Sequence, residues 1–590
     1  MGRRRVQGLR WRRVVLRKLV ILVAVAGALA VPAGASRKSP TQIVSQQLLM
    51  PGVSYQRQVT FTPRGPVVLD VVIAPRPDGS IYTLAPVLSN NAVVGTEPLT
   101  SIEKDVSAAA TVVGVNGDFF SSGGAPAGML MRGGALDLAP LPTRSSLGIA
   151  PDGTLTVARV AFDGTWRGTG QRRQLDLNRP PVAGHTTLYT SSWGPTTPAE
   201  DGVVEDTIGS LPPLQPNHVI VGIVTGQDGR GGIPIPPGGA VLVSRGGQAP
   251  HLSAEAPLGT TVEIRPTLTP NWSGMASALG GGPLLLAGGK PIFRANEAFD
   301  DSVLNARGAR SAVGQLPDGR ILLVSVEGGG SAYSAGMTNY ELAGAMARLG
   351  AVTAMALGSG TPSGMAFDGT LLTRPSGKTE APISDALLLS YTGVYAAPPS
   401  AAVVSPNGDG VDDTELFTYK LVLPSQVTAA LSGPAGVQIP LVQDTEQPGL
   451  HTLTWNAQPA AEGQWKLTVT GVDSRGRTTV ATRDFLLDNT LGGLNVSPTD
   501  AHISAASTAV VAANYQLAHP AKVTATIETR TGIVLATLRD ATLQPGPQQV
   551  IWDGRLWTGA LAFTGAYQVR VVATNSIGTA SLIAPFVARR

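Results

Sequence analysis

Residues 111–120, Thr-Val-Val-Gly-Val-Asn-Gly-Asp-Phe-Phe, predict a buried strand that ends in a polar tip. The β-branched run stops at Asn116-Gly117, a pair that adopts positive φ angles at little cost. Asp118 then presents a carboxylate, and two aromatic residues, Phe119 and Phe120, need an apolar pocket. A buried strand that ends in Asn and Asp is typical of a functional site, and an ordinary hairpin turn is the alternative interpretation.

The length and composition of the chain indicate several β-rich domains. Its 590 residues are too many for one hydrophobic core, so about two to four domains are expected. With 43% hydrophobic and only 14% charged residues, most of the chain should pack into folded structure. Many short β-branched runs are cut by glycine and proline, which is typical of a β-rich protein with frequent turns.

The N-terminus has the pattern of an export signal over residues 1–35. An apolar run from Leu19 to Val31 is followed by Ala33-Gly34-Ala35, which fits a signal-peptidase site. The stretch before it is basic and lacks acidic residues: Arg3, Arg4, Arg5, Arg10, Arg12, Arg13, Arg17 and Lys18. An uncleaved membrane anchor is the alternative, and the pair Arg12-Arg13 also resembles a twin-arginine signal. The sequence therefore predicts a secreted or cell-envelope protein.

The overall charge argues against a nucleic-acid partner. The chain carries 44 basic and 40 acidic residues, and eight of the basic ones lie in the predicted signal. The mature chain would therefore be slightly acidic, so its charge gives no reason to expect a phosphate backbone as partner. The absence of cysteine excludes disulfides, thiolate metal sites and a cysteine nucleophile.

The last third of the chain contains an internal repeat. Tyr419-x-Leu421-x-x-Pro424-x-x-Val427-Thr428-Ala429 recurs as Tyr515-x-Leu517-x-x-Pro520-x-x-Val523-Thr524-Ala525. Trp455 likewise recurs as Trp552, with an offset that differs by one residue. Units of about 95 residues with alternating strands and closely spaced turns predict two β-sandwiches, over residues 400–490 and 494–590.

The start of the first repeat resembles the immunoglobulin-like domain of the flagellar hook-cap protein. The resemblance rests on the run Val404-Ser405-Pro406-Asn407-Gly408-Asp409-Gly410-Val411-Asp412-Asp413-Thr414. It implies immunoglobulin-like modules that act as spacers or adhesive units. The loop oxygens of Asn407, Asp409, Asp412 and Asp413 either bind calcium or cap their own backbone in a turn. Calcium is the only cofactor that the sequence suggests.

Residues 40–397 are predicted to form a strand-rich α+β domain. Strands are expected at Gly65–Ile73, Val219–Val224 and Ile321–Val326. A helix is expected at Asn339–Leu349, where Leu342, Ala343, Met346 and Leu349 form an apolar stripe. Thr338 followed by Glu341 three residues later is the pattern of a capping box at its start.

The same region resembles the phosphodiester glycosidase family. The similarity begins with Asn116-Gly117-Asp118-Phe119-Phe120, Pro126-x-Gly128 and Gly133-Gly134. Further family blocks follow in order: Asn178-Arg179, Leu188-Tyr189-Thr190, Ala278–Leu284, Arg310-Ser311-Ala312-Val313-Gly314 and Ser334–Thr338. That family includes the enzyme that uncovers mannose 6-phosphate by removing N-acetylglucosamine. The resemblance implies the family's fold and a glycan or glycosyl-phosphate substrate.

Two family motifs are altered in this chain. Where the family usually carries Asp-Gly-Arg, the chain has Glu327-Gly328-Gly329. Where the family usually carries Leu-Asp-Gly-Gly-Gly, the chain has Leu357-Gly358-Ser359-Gly360-Thr361. The first change keeps a carboxylate but removes a guanidinium that could hold phosphate, and the second removes an acid, base or ligand.

The residues and the resemblance together give a set of site predictions. Asp118 and Glu327 are the predicted catalytic carboxylates, and Arg310 is the predicted phosphate ligand. Asp368 is a further carboxylate, with a hairpin turn as its alternative role. The predicted substrate-binding residues are Asn116, Gly117, Thr338, Gly358 and Gly360. Backbone amides of the glycine-rich loops at 280–282 and 358–360 could cradle an anion.

Two functions remain open from the sequence. One is an exported hydrolase that acts on phosphate-linked or phosphorylated glycans of the cell envelope. The other is a non-catalytic glycan-binding or scaffold protein that keeps the fold. Gly329 and Gly358, which stand in the altered motifs, favour this second function. The six histidines are scattered, with only His185 near a family block, which disfavours a histidine zinc site or a Ser-His-Asp triad.

Overall fold

The computed structural model describes residues 41–180, 184–292, 296–330, 332–401, 403–458 and 460–590. The predicted signal at residues 1–35 lies outside these ranges. No helix among the described residues combines the length and the apolar character that a membrane crossing requires.

Strands dominate the described residues up to 396, and the helices are few. The helices are α1 (Leu99–Ser107), α2 (Ala249–Glu255), α3 (Asp301–Leu304) and α4 (Asn339–Arg348). The strands are β1 (Thr41–Met50), β2 (Val53–Thr62), β3 (Gly65–Ala74), β4 (Tyr82–Leu88), β5 (Glu97–Pro98), β6 (Thr111–Asn116), β7 (Leu130–Arg132), β8 (Ala135–Leu138), β9 (Ser145–Ile149), β10 (Leu155–Arg159), β11 (Ala161–Arg167), β12 (Arg173–Leu177), β13 (Thr186–Thr190), β14 (Val203–Ile208), β15 (Ile220–Asp228), β16 (Ala240–Arg245), β17 (Thr261–Thr269), β18 (Ser277–Gly280), β19 (Leu284–Ala287), β20 (Lys290–Pro291), β21 (Arg310–Gln315), β22 (Ile321–Val326), β23 (Thr353–Ala356), β24 (Met365–Phe367), β25 (Thr370–Leu371), β26 (Pro382–Ile383), β27 (Asp385–Tyr391) and β28 (Tyr395–Ala396).

Two sheets pack face to face, and β6, which contains the first residues of the 111–120 stretch, is the middle strand of the smaller sheet. The larger sheet has the order β1-β2-β3-β22-β21-β23-β19-β20, and the smaller has the order β25-β24-β6-β27-β4. Val113 and Val115 of β6 share one core with Val313 and Leu323 of the larger sheet. All six residues of β6 are buried, which explains its β-branched run.

The other face of the larger sheet is covered by α4. Its Leu342 and Met346 share a core with Val324 of β22. The predicted capping box is present, because Thr338 Oγ1 accepts from Glu341 N at 3.2 Å and Thr338 N donates to Glu341 Oε2 at 2.9 Å. The helix prediction is confirmed to within one residue at its end.

A closed barrel between residues 161 and 269 was not foreseen from the sequence. Its strands follow the order β11-β12-β13-β16-β14-β15-β17, and it has a core of its own that contains Trp166 and Leu242. A separate five-stranded sheet has the order β10-β9-β18-β7-β8. The chain is thus mostly β with few helices, as the sequence predicted.

The barrel contains a buried acid that should make stability depend on pH. Asp206 is fully buried, and its Oδ1 accepts from Gln227 Nε2 at 3.1 Å while its Oδ2 has no partner among the described residues. Burial raises the pKa of Asp206 to about 7. Between its ordinary pKa of 3.8 and about 7, the folded state therefore holds a proton that the unfolded state releases, so stability falls as pH rises through this window.

Asp206→Asn is expected to flatten this pH dependence. Because the amide cannot ionise, the variant should be more stable than the wild type near and above neutral pH, by on the order of 1 kcal/mol. Denaturant unfolding at mildly acidic and at neutral pH measures the slope. A slope equal to that of the wild type would contradict the assignment. Asp70 and Asp385, whose pKa values burial also raises to about 7, leave a residual slope of the same sign.

The repeated segment forms two β-sandwiches of matching design. Its strands are β29 (Val403–Val404), β30 (Thr414–Leu421), β31 (Ser425–Ser432), β32 (Gln438–Glu446), β33 (Gly449–Asn456), β34 (Gly463–Asp473), β35 (Thr478–Leu487), β36 (Leu491–Ser497), β37 (Asp500–His502), β38 (Val511–Leu517), β39 (Ala521–Thr529), β40 (Val534–Leu543), β41 (Gly546–Trp552), β42 (Gly565–Thr574) and β43 (Thr579–Arg589). The first sandwich packs β28-β30-β33 on β29-β35-β34-β31-β32, and the second packs β36-β38-β41 on β37-β43-β42-β39-β40. Both are consistent with immunoglobulin-like domains.

The first sandwich is fastened to the preceding sheets by a buried lysine. Lys420 Nζ donates to Ser107 Oγ at 2.9 Å, to Ala110 O at 3.2 Å and to both carboxylate oxygens of Asp368 at 2.9 and 3.1 Å. Asp368 lies in the turn between β24 and β25 with a φ of 46°. The hairpin-turn interpretation of Asp368 therefore fits the structure. Both oxygens of its carboxylate accept hydrogen bonds from Lys420.

Candidate active site

Asn116, at the end of β6, joins the two central sheets. Its Nδ2 donates to Gly358 O at 2.9 Å, and its Oδ1 accepts from Ser311 Oγ at 2.5 Å and from Gly364 N at 3.2 Å. Gly358 N in turn donates to Gly117 O at 2.8 Å. The predicted residues Asn116, Gly117 and Gly358 thus lie together. The Asn116 side chain holds the loop after β23 in place.

Asp118 lies just beyond this junction, and its carboxylate is buried. Its Oδ1 accepts from Arg144 Nη2 at 2.6 Å and from Phe119 N at 2.7 Å, while its Oδ2 accepts from Gly128 N at 2.6 Å. A Cβ on Gly280 would lie 2.3 Å from Asp118 Oδ2. The glycine-rich segments around 128 and 280 therefore give the carboxylate the space that it occupies.

Arg144 is a buried cation that the sequence reasoning missed. Its Nη2 also donates to Gly281 O at 3.0 Å. The guanidinium carbon lies 4.9 Å from the ring centroid of Phe119 and 4.5 Å from that of Phe299. Its Nε is buried and has no partner among the described residues. Arg144 thus keeps one N–H group that no described residue pairs, and guanidinium N–H groups are well suited to carboxylate and phosphate oxygens.

Two further ionisable residues surround this pair. Arg179 Nη2 donates to Ala127 O and Ala139 O, and burial lowers its pKa while the charges of Asp176 and Asp118 act in the opposite direction. Asp385 is fully buried beneath the tip of β6, where its Oδ2 accepts from Asp118 N at 3.3 Å. Burial raises the pKa of Asp385 to about 7, and the Asp118 carboxylate adds to the shift.

Glu327 belongs to a second polar cluster at the end of β22. Its Oε1 accepts from Arg57 Nη2 at 2.7 Å and from Arg374 N at 2.8 Å, and its Oε2 accepts from Tyr333 OH at 2.5 Å. Arg57 Nε also donates to Asp70 Oδ1 at 3.0 Å. Burial raises the pKa of Asp70 to about 7. Arg57 thus pairs with two buried carboxylates, although its single positive charge can offset only one of them.

Arg310 does not join Asp118 or Glu327. It neighbours Ser311, whose hydroxyl bonds to Asn116, and successive side chains of a strand point to opposite faces. Arg310 therefore faces the α4 side, where its Nε donates to Met337 O at 3.2 Å and its Nη2 donates to Ala306 O. The hydrogen bonds of Arg310 thus reach neither Asp118 nor Glu327, and its role as the phosphate ligand stays a prediction. Asp118 and Glu327 share no hydrogen-bond partner among the described residues.

The remaining predicted binding residues have structural partners. Thr338 caps α4, as described above. Gly360 has a φ of 86° and donates its N–H to Ala309 O at 3.0 Å. Its positive φ favours glycine at this point of the loop after β23.

The carboxylates of the predicted calcium loop accept hydrogen bonds from backbone N–H groups. No group of three or more His, Asp or Glu residues that could hold a metal ion occurs among the described residues. Asp413 accepts from Gly408 N and Gly410 N, and Asp409 accepts from Val411 N and, across the junction with the second sandwich, from Gly493 N. These contacts fit the turn interpretation, and calcium binding stays a prediction.

Comparison with protein-family models assigns two parts of the chain. Residues 217–390 match the phosphodiester glycosidase model, and residues 501–576 match the FlgD Ig-like domain model. The chain thus carries a phosphodiester glycosidase domain and a FlgD Ig-like domain. Glu327 and Gly358 lie within the first match, whereas Asp118 and Arg144 precede it. The first sandwich lies outside both matches.

Solved structures show weaker similarities. A hypothetical protein from Synechocystis is 27% identical with a TM-score of 0.49, and the match covers 58% of this chain and 62% of that one. A Burkholderia pseudomallei protein described as exported is 22% identical with a TM-score of 0.45, over 55% of this chain and 74% of that one. A third structure is the zebrafish N-acetylglucosamine-1-phosphodiester α-N-acetylglucosaminidase catalytic domain, auto-inhibited by its pro-peptide. It is 12% identical with a TM-score of 0.31, and the match covers 60% of this chain and 88% of that one. All three TM-scores lie below 0.5, so we draw nothing about function from them. No curated protein matches the chain.

Gly358→Asp, which would restore the residue of the family motif, is expected to bring no gain of activity. A Cβ at this position would lie 2.8 Å from Asp118 O and 3.0 Å from Asn116 Nδ2, so the loop would have to move. We expect a loss of stability of about 1–3 kcal/mol. Thermal unfolding and turnover assays test this, with Ser359→Asp at the half-exposed next position as the matched control. A more active Gly358→Asp variant would contradict the packing of this loop.

Proposed function

We propose that the chain is an exported hydrolase that cleaves phosphate-linked or phosphorylated glycans of the cell envelope at the Asp118–Arg144 site. The observation that carries the proposal is the Arg144 guanidinium. It is paired with Asp118 at 2.6 Å, lies between two aromatic rings and adjoins the 280–282 loop of the phosphodiester glycosidase domain. Such a group suits the single negative charge of a phosphodiester.

The reaction adds water across the bond between a sugar and its phosphate. It yields a free sugar and a phosphomonoester, and one proton must reach the departing oxygen. Arg144, with Arg179 nearby, would offset the negative charge that increases on the phosphate as the bond breaks. Asp118 would keep Arg144 in position, because both of its carboxylate oxygens already accept hydrogen bonds from the protein.

Glu327 remains the proposed carboxylate for proton transfer. Its two oxygens accept from Arg57, Tyr333 and Arg374 N, so it would act only if one of these contacts opened when substrate binds. Glu327→Gln keeps the shape of the side chain and removes its charge. If Glu327 transfers a proton, the variant should lose turnover while it keeps substrate affinity.

The second candidate is a glycan-binding protein without turnover. The observation in its favour is that both carboxylates, Asp118 and Glu327, are fully engaged by protein donors. Gly329 and Gly358 stand where the family usually has Arg and Asp. Glycan binding that Asp118→Ala and Glu327→Gln leave intact, without any released sugar, would favour this candidate.

The test uses the purified full chain and a panel of glycosyl phosphodiesters that differ in the sugar and in the alcohol. Release of free sugar from at least one of them supports the proposed hydrolase. No release from any member, together with binding on a glycan array, would overturn it. Export is part of the proposal and rests on the predicted signal, so the protein should be found in the envelope or the medium and lack residues 1–35.

A further inference from the structure

The loops at one end of the second sandwich form a surface that we call the distal tip. β39 ends and β42 begins at this end, because Thr529 pairs with Tyr567. The loop after β41 reaches the same end, where Trp557 N donates to Leu535 O at 2.8 Å near the start of β40. The distal tip consists of residues 503–510, 530–533, 553–564 and 589–590.

The first sandwich contacts the opposite end of the second sandwich. There Gly493 N donates to Asp409 Oδ2 at 2.6 Å, and His519 Nε2 lies 2.7 Å from Glu462 Oε2. His519 precedes β39, whereas residues 530–533 follow it, so the two lie at opposite ends of that strand. The contact between the sandwiches therefore leaves the distal tip uncovered.

Three large apolar side chains are exposed on the distal tip. Ile533 is 62% exposed, Trp557 is 80% exposed and Phe563 is 69% exposed. A single exposed apolar side chain is common on a protein surface, whereas a group of them marks a contact site. The distal tip is therefore a candidate interaction surface.

The loop over residues 553–564, which carries both aromatic side chains, is held in one shape. Ala562 N donates to Gly554 O at 2.8 Å across the base of the loop. The guanidinium carbon of Arg590 lies 5.0 Å from the centroid of the Phe563 ring. Side chains that an ordered loop presents lose less conformational entropy when they bind a partner.

The charged side chains of the distal tip are mostly positive. Asp553 is the one acidic residue in its four ranges, and Asp500 lies beside them and pairs with Arg589 at 3.0 Å. The arginines of the distal tip are Arg530, Arg555, Arg589 and Arg590. The arginines thus outnumber the two acids, although the mature chain as a whole is predicted to be slightly acidic. This local charge favours an anionic partner.

An anionic lipid surface fits both the apolar and the charged side chains. Aromatic side chains are favourable at the depth of the lipid headgroups, and arginines are attracted by a negative surface potential. A neutral glycan would use the rings but not the positive charge. A protein that reaches the cell envelope, as the predicted signal indicates, meets a lipid surface there.

We propose that the distal tip binds a membrane surface that contains anionic lipids. Trp557 and Phe563 lie at the depth of the headgroups, and Arg530 and Arg590 contact lipid phosphates. The proposal does not depend on hydrolysis, because the candidate active site lies outside the second sandwich.

Sedimentation with vesicles tests the proposal. One kind of vesicle contains phosphatidylcholine alone, and the other also contains phosphatidylglycerol. The protein lacks residues 1–35, because the apolar run of the predicted signal would itself bind lipid and because Thr41–Arg590 form a compact unit of their own. We expect binding to the vesicles with phosphatidylglycerol, weaker binding to phosphatidylcholine alone, and a loss of binding as salt is raised.

Two surface variants and a control locate the contact. Trp557→Ala should weaken binding to the anionic vesicles by about tenfold, and Arg530→Ala should weaken it by about fivefold. Both residues are exposed, so both variants should fold normally. Leu450→Ala is the control, because Leu450 is 71% exposed on the first sandwich, and it should leave binding unchanged.

Three results would overturn the proposal. One is that the protein does not sediment with the anionic vesicles. Another is equal affinity for the two kinds of vesicle, which would mean that charge plays no part. The third is binding that Trp557→Ala does not weaken. If the wild type but not Trp557→Ala bound a neutral glycan array and neither bound vesicles, the distal tip would be a sugar-binding surface instead. Phosphodiester cleavage without vesicle binding would refute the membrane proposal alone.

Discussion

Arg144→Ala is expected to lower kcat/KM for a glycosyl phosphodiester by about 10²–10³-fold, the loss seen when one group that stabilises developing negative charge is removed. The variant removes the Asp118 ion pair at 2.6 Å and the cation that lies between the rings of Phe119 and Phe299. It also leaves the buried Asp118 carboxylate with one hydrogen-bond donor fewer. Steady-state kinetics on a substrate from the panel gives the measurement.

Arg144→Lys separates charge from geometry. The ammonium keeps the charge but lacks the planar fork of N–H groups with which the guanidinium contacts Asp118 and Gly281 O, so we expect an activity between those of the wild type and Arg144→Ala. Arg172→Ala is the control, because Arg172 pairs with the exposed Glu263 on the barrel at 3.0 Å. If Arg144→Ala folds and retains full turnover, Arg144 does not bind the phosphate.

Lys420→Met is expected to destabilise the protein by about 3 kcal/mol. The lysine side chain is 7% exposed and donates to Ser107, Ala110 and Asp368 across the contact between the first sandwich and the preceding sheets. Removing one member of a buried pair leaves the other charge without compensation. Chemical unfolding, followed together with proteolysis of the segment that joins β27 to β28, measures both stability and attachment of the sandwich.

Lys466→Met provides the matched control for this change. Its partner Asp484 lies 3.6 Å away, and the two side chains are 51% and 71% exposed. An exposed pair contributes at most about 1 kcal/mol, so this variant should unfold almost like the wild type. Equal effects of the two substitutions would show that the buried contact does not hold the sandwich in place.

The sequence predicted those features that depend on local patterns. The strand at Ile321–Val326 and helix α4 follow from hydrophobic periodicity and from the capping box at Thr338. The two sandwiches follow from the repeat. The tip at Asn116 was found because a β-branched run that stops at Asn-Gly-Asp is unusual in a buried strand.

The charge partners could not be predicted, because tertiary packing creates them. Arg144 lies 26 positions from Asp118 along the chain, and Arg57 lies 270 positions from Glu327. Nothing in the local sequence marks either arginine as a partner. The side-chain direction of Arg310 could not be predicted either, because only the strand register shows that Ser311, one position on, faces the site instead. A strand register that was known in advance would have given the correct face.

Phosphorus NMR of the purified full chain with an N-acetylglucosaminyl phosphodiester, followed over time beside Arg144→Ala, tests the central claim most directly. We predict that the phosphodiester signal is replaced by that of a phosphomonoester in the wild type, and that it persists in the variant. A phosphodiester signal that stays unchanged with the wild type, or that disappears equally fast with Arg144→Ala, would contradict the assignment of the Asp118–Arg144 site as a phosphodiester-cleaving centre.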